Sequence, residues 1–132
     1  MPLRAVVYLG SLKVAALVDT GSDYNAIGED LSRVQSENKN ASFMERRQTA
    51  AQSVSGCVAD VSRTTRFDSS WEVTFRGTPV RRGKADERRV VVKFSEFAGL
   101  GDPIILGMPS IDALGGLELS GKFVRIVDLW IP

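Results

Sequence analysis

The chain has 132 residues, 43% of them apolar, and a net charge of +1 from 17 basic and 16 acidic side chains. This is the size of one ordinary domain able to bury a core, and the even charge balance gives no overall pull toward nucleic acid or an anionic membrane. The lack of histidine removes Ser–His and Cys–His catalysis and the usual zinc sites, and the single cysteine, Cys57, cannot form an internal disulfide, which fits an intracellular setting.

Leu3 to Leu9 alternates with β-branched residues, Gly10-Ser11 reads as a turn, and Leu12 to Val18 runs back, so a hairpin with a two-residue turn is predicted. Ala26-Ile27 resumes a strand pattern. Glu29 to Val34 carries Leu31 and Val34 at helical spacing behind two acids that suit a helix N-terminus. Glu37 to Asn40 reads as loop, and Thr49 to Asp60 as a hairpin turning near Ser55-Gly56. Trp71 to Phe75 and Val90 to Phe94 are strands on either side of a basic stretch from Arg76 to Arg89. Gly99 to Pro103 is a turn ahead of a short buried strand, Ile104 to Leu106. Pro109 suits the first turn of a short helix and Gly115-Gly116 its end. Leu117 to Leu119 and Phe123 to Leu129 read as final strands. The pattern of many short strands and two short helices predicts an all-β, barrel-like domain over residues 1–132.

No apolar run approaches the roughly 18 residues needed to cross a membrane, and the opening residues do not read as a signal peptide. The chain enters its first strand almost at once, as a piece cut from a longer polyprotein would. Asn40-Ala41-Ser42 matches a glycosylation sequon and, without a secretory signal, is read as a chance match.

The stretch that carries chemistry is Ala16-Leu17-Val18-Asp19-Thr20-Gly21-Ser22, an apolar strand that delivers a carboxylate into a tight Gly turn. Hydrolysing an amide without metal, Ser or Cys needs an activated water: one carboxylate takes its proton while a second acid polarises the carbonyl. Two carboxyls held close share a proton and so divide these roles. None of the chain's other acids lies in a second Asp-Thr-Gly or Asp-Ser-Gly turn. The partner of Asp19 is therefore expected from a second copy, because a two-fold interface pairs a patch with itself.

On these residues the sequence resembles the retropepsins, the homodimeric aspartic proteases of retroviruses and retrotransposons. Leu17-Val18-Asp19-Thr20-Gly21-Ser22 is similar to their catalytic loop. Ile104-Ile105-Leu106-Gly107, about 85 residues on and followed by Pro109 to Gly115, is similar to their apolar-apolar-Gly strand and helix. The two anchors cover about a quarter of the chain. The resemblance implies a retropepsin-like acid-protease barrel with one or two short helices, needing no cofactor or metal and acting on peptide or polyprotein substrate in the cytoplasm or a virus-like particle. It implies Asp19 as the catalytic acid, Thr20 bonding across the dimer, and Gly21 opening the loop to substrate. Asp23 would meet substrate main chain, with Leu17 and Ile105 in the substrate-binding wall and Val54, Ser55 and Gly56 at the flap. Ser22 is expected to donate its hydroxyl to the Asp19 carboxylate. Met108 stands where viral relatives commonly have a dimer-supporting Arg, so a weaker or differently braced dimer is expected, and the residues from Phe123 to Pro132 leave room for a different arrangement of terminal strands.

An Asx-turn at Asp19 that merely ends a strand leaves the second anchor without a reason. Asp19, Gly21, Asp23 and Asn25 have the spacing of a calcium loop, but Tyr24 stands where that loop needs Gly and Asp30 where it prefers Glu. The Arg76–Arg89 cluster lacks interleaved aromatics and is diluted by Asp86-Glu87, so a solvated loop is favoured over nucleic-acid binding. Trp71 and Trp130 read as core or dimer packing. The competing function is a catalytically silent retropepsin-fold module used for dimerisation or peptide binding.

Overall fold

The computed structural model describes residues 3–55, 62–83, 86–116, 118–120, 123–126 and 129–131. The alternating apolar residues of β1 (Leu3–Leu9) and β2 (Leu12–Val18) put Ala5, Val7, Leu9, Val14, Ala16 and Val18 into the core. Leu9 pairs with Leu12 across Gly10-Ser11, the two-residue turn predicted from sequence.

From this hairpin the sheet closes on itself. Strand β2 runs parallel to β8 (Ile104–Leu106), β8 lies antiparallel to β3 (Ala26–Gly28), and β3 runs parallel to β7 (Glu87–Phe97). β7 pairs antiparallel with β5 (Ser62–Arg76), which returns to β1 at Tyr8↔Thr74 and completes a six-stranded barrel. β8 is flanked on both edges and covered on both faces, which is why three consecutive apolar residues are all buried. Trp71, Phe75 and Phe94 fill the interior; Trp71 meets Phe43 edge to face at 5.1 Å and donates its indole N–H to Ser69 Oγ at 3.0 Å. Trp71 is thus core.

Strand β4 (Phe43–Ser55) lies outside the barrel and, among the described residues, pairs only with β5. The hairpin expected from Thr49 therefore starts earlier, at Phe43, whose side chain packs against the core. Its last described pair is Ser55↔Ser62, so Val54 and Ser55 close β4 while Gly56 and Cys57 lie outside the described residues. Helix α1 (Glu29–Glu37) runs further than predicted and stops at Lys39, which takes a left-handed φ of 55°. Just beyond, Asn40 donates to Leu9 O at 3.0 Å and Gln35 Oε1 at 2.9 Å, and accepts from Ser42 N and Oγ. This sequon amide ties the first hairpin to the helix.

Helix α2 (Met108–Ala113) has Pro109 in its first turn and Gly115 at φ 83° beyond its end, as the sequence predicts. The stretch expected as one strand over Phe123 to Leu129 is instead two. β10 (Phe123–Ile126) and β11 (Leu129–Ile131) pair antiparallel, with β9 (Glu118–Ser120) beside β10 and β6 (Thr78–Pro79) beside β11. The reversal is favoured because it returns Ile126, Leu129 and Ile131 to the barrel core, which one straight strand could not do.

Candidate active site

Strand β2 ends at Val18 and places Asp19 half-buried at the barrel mouth, with Thr20 and Gly21 exposed beyond it. The Gly21 N–H donates to Asp19 Oδ1 at 2.9 Å, which fixes the carboxylate relative to its own turn. A Cβ on Gly21 would stand 3.3 Å from that oxygen, so glycine keeps the space beside it open.

The loop is fastened from behind by the second sequence anchor. Asp19 N donates to Leu106 O at 3.0 Å, Met108 N to Ser22 O at 2.8 Å, and Gly107 N to the side-chain oxygen of Asn25 at 3.0 Å. A Cβ at Gly107 would lie 2.2 Å from Tyr24 O and 2.7 Å from Ser22 O, closer than side-chain atoms approach backbone. The apolar-apolar-Gly pattern thus has a local cause: two apolar residues bury β8, and glycine lets its exit slide under the 22–24 turn. Met108 packs against the core.

The expected donation from Ser22 to Asp19 is corrected by the geometry. Ser22 is buried; its hydroxyl donates to Tyr24 O at 2.8 Å and accepts from Tyr24 N at 3.2 Å. Ser22 braces the turn, and the donor to the carboxylate is the Gly21 amide. Asp23 stands exposed four residues after Asp19. Leu17 and Ile105 are buried together with Ala26 and Phe97 in a small cluster beneath the loop.

Asn25 is the residue that sequence reasoning passed over as part of a failed calcium pattern. Its side chain accepts from Gly107 N and donates to Lys93 O, and its carbonyl accepts from Ser95 N, so it joins the loop to both β7 and the exit of β8. A polar residue two positions past an acid, just ahead of an apolar strand, was the available signal. Among the described residues no group of acidic, Cys or His side chains is placed to hold a metal ion, and no helix is long and apolar enough to cross a membrane.

No protein-family model matches the sequence, and no curated protein matches it. Solved structures do match the fold. The retroviral protease-like domain of Ddi1 from Leishmania major superposes with a TM-score of 0.59 at 11% identity, over 100% of this chain and 92% of that one. The EIAV protease complexed with the inhibitor HBY-793 gives 0.55 at 18% identity, over 92% of this chain and 94% of that one. The chain has the retropepsin-type fold.

Proposed function

We propose that the chain is an aspartic endopeptidase of retropepsin type, active as a homodimer in which each copy supplies one Asp19. The observation that carries this reading is the setting of Asp19: a half-buried carboxylate at the end of a core strand, held by the Gly21 amide in a loop braced by Leu106, Gly107 and Met108. On a two-fold axis two such carboxyls would share one proton. The ionised one takes a proton from water as its oxygen attacks the peptide carbonyl, and the protonated one hydrogen-bonds the carbonyl oxygen. Proton return to the amide nitrogen then releases the two products. This chemistry calls for no metal or cofactor. Thr20 braces the paired loops, Asp23 meets substrate main chain, Leu17 and Ile105 form the floor, and the β4–β5 hairpin around Val54, Ser55 and Gly56 covers the substrate. The substrate class is a polyprotein of a retrotransposon or related element, processed in the cytoplasm or in a virus-like particle.

The test is cleavage of a peptide library by the purified protein, its block by a statine-type inhibitor, and its loss in Asp19→Asn, which keeps the shape but cannot serve as base. Specific activity should also fall on dilution, since a protomer alone holds half a site. Turnover by Asp19→Asn, or constant specific activity where light scattering shows monomers, overturns the reading. Dimers that bind peptide and cleave nothing select the silent module.

A further inference from the structure

A pocket of about 460 Å³ opens beside the Asp19 loop, and Asp19 is not part of it. It is shared between Asp23 and Tyr24 of the loop, the strands β5 and β7, and one side of α2. Three features of its lining point to an occupant. Ser110 is 4% exposed and its hydroxyl has no hydrogen-bond partner, a costly state for a buried polar group unless a ligand supplies the bond. Tyr24 and Val91 also line the pocket, and both leave a large apolar side chain in solvent. The charges are unequal. Asp68 is offset by Lys93, whose Nζ lies 3.3 Å from Oδ2, whereas Asp23 is exposed and makes no ion pair among the described residues.

We propose that this pocket docks a basic side chain of a bound peptide, a lysine or arginine lying outside the scissile pair. The apolar stem lies against Tyr24 and Val91, and the cationic head reaches the Asp23 carboxylate while donating to the Ser110 hydroxyl. An acidic side chain is repelled by Asp23, and a purely apolar one leaves both polar groups unmet. The inference rests on the endopeptidase reading in one respect: Asp23 belongs to both the pocket and the catalytic loop, so a peptide laid over Asp19 continues into the pocket.

The experiment uses the Asp19→Asn protein, so that no peptide is consumed, with fluorescein-labelled octapeptides of alanine and valine carrying one lysine, norleucine or glutamate. Fluorescence anisotropy should show the lysine peptide binding about tenfold tighter than the norleucine peptide, the worth of a charge-assisted hydrogen bond, and the glutamate peptide weakest. Ala113→Phe, an exposed α2 position lining the pocket, should abolish the difference, and Ser110→Ala should reduce it. Equal binding of the lysine and norleucine peptides, no measurable binding of any, or a lysine preference that survives Ala113→Phe overturns the proposal. Wild-type cleavage distinguishes the two readings. If peptides are cut with KM indifferent to lysine at every flanking position, the pocket proposal fails and the endopeptidase reading stands. If lysine-selective binding persists without cleavage, the pocket stands and the endopeptidase reading fails.

Discussion

Strand β7 carries a glutamate near each end, each gripped by arginine, in very different surroundings. Glu96 has a side chain only 1% exposed; Arg46 of β4 donates to it through Nε and Nη2 at 2.9–3.1 Å, and Ser32 of α1 donates to Oε2 at 2.7 Å. The Arg46 guanidinium also lies 3.8 Å over the Phe67 ring. Glu87, at the other end, is 31% exposed and is held by Arg76 Nε at 3.2 Å and Arg89 Nε at 3.0 Å. Both contain charge-assisted bonds of ordinary length. What separates them is water: around Glu87 the solvent screens the attraction and can replace either partner, while around Glu96, among the described residues, Arg46 and Ser32 alone donate to the charge. The buried site also joins three elements, β4, β7 and α1, whereas the exposed one links residues of a single hairpin. Burial, more than distance, decides what each is worth.

The comparison is broken most severely at Arg46. Arg46→Ala leaves Glu96 buried and unpaired, and stability should fall by about 3 kcal/mol, the low end for a broken buried pair because Arg46 itself is partly exposed. Urea denaturation at fixed protein concentration measures it. The double variant Arg46→Met with Glu96→Leu should recover most of the loss, since a well-packed apolar pair can replace a buried ion pair at little net cost. A double variant as unstable as the single one would show that the charges themselves hold β4 in place.

An intermediate case sharpens the scale. Arg4 of β1 donates to Asp102 at 2.9 Å, with side chains 49% and 10% exposed, and so fastens the turn before β8 to the first hairpin. Arg4→Met keeps much of the stem and strands a nearly buried carboxylate. The expected loss is about 1 kcal/mol, between the two β7 sites. A loss equal to that of Arg46→Ala would show that burial of the acid alone sets the cost, whatever the exposure of its partner.

The same divide separates what could be read from the sequence from what could not. The Asp19 loop, the Ile104–Gly107 strand and the first hairpin are local patterns: apolar alternation and a Gly-bearing turn within a few residues fix them, and the structure puts them where expected. Arg46 and Glu96 lie 50 residues apart and meet only because β5 brings β4 and β7 into one sheet and α1 closes over them. Neither residue has a local signature; an Arg on a polar strand and a Glu near Phe97 read as surface. The split of Phe123–Leu129 failed for a related reason, since the apolar residues look continuous in sequence and only the position of the barrel core requires a reversal. In the site itself the Gly-bearing turn at Asp19 was legible as a local pattern, but the bond from the Ser22 hydroxyl to Tyr24 O was not, because Tyr24 O is a backbone atom whose position no side-chain pattern reveals.

The smallest expected effect is at Glu87, and it carries a pH signature of its own. The Arg89 hydrogen bond, against an opposing effect of burial and with further help from the charges of Arg76 and Arg89 and the Arg76 hydrogen bond, holds the Glu87 carboxyl below its ordinary 4.5. A carboxylate whose pKa is lowered by folding contributes stability above its unfolded pKa and loses it as pH falls through the folded value. Glu87→Gln should therefore lower Tm slightly at neutral pH and low salt. The difference from the parent protein should shrink as pH drops through the carboxylate range and vanish once both proteins carry a neutral side chain there. Because the group meets solvent, the difference should also fade in about 1 M salt, where the screening length is only about 3 Å. Glu96→Gln, compared under the same neutral conditions, should lose stability that salt does not restore, since counterions cannot reach the Arg46 contact. A Glu87→Gln deficit that persists at pH 3 or in high salt would mean that the side chain acts through packing, and the contrast between the two ends of β7 would then not be one of screening.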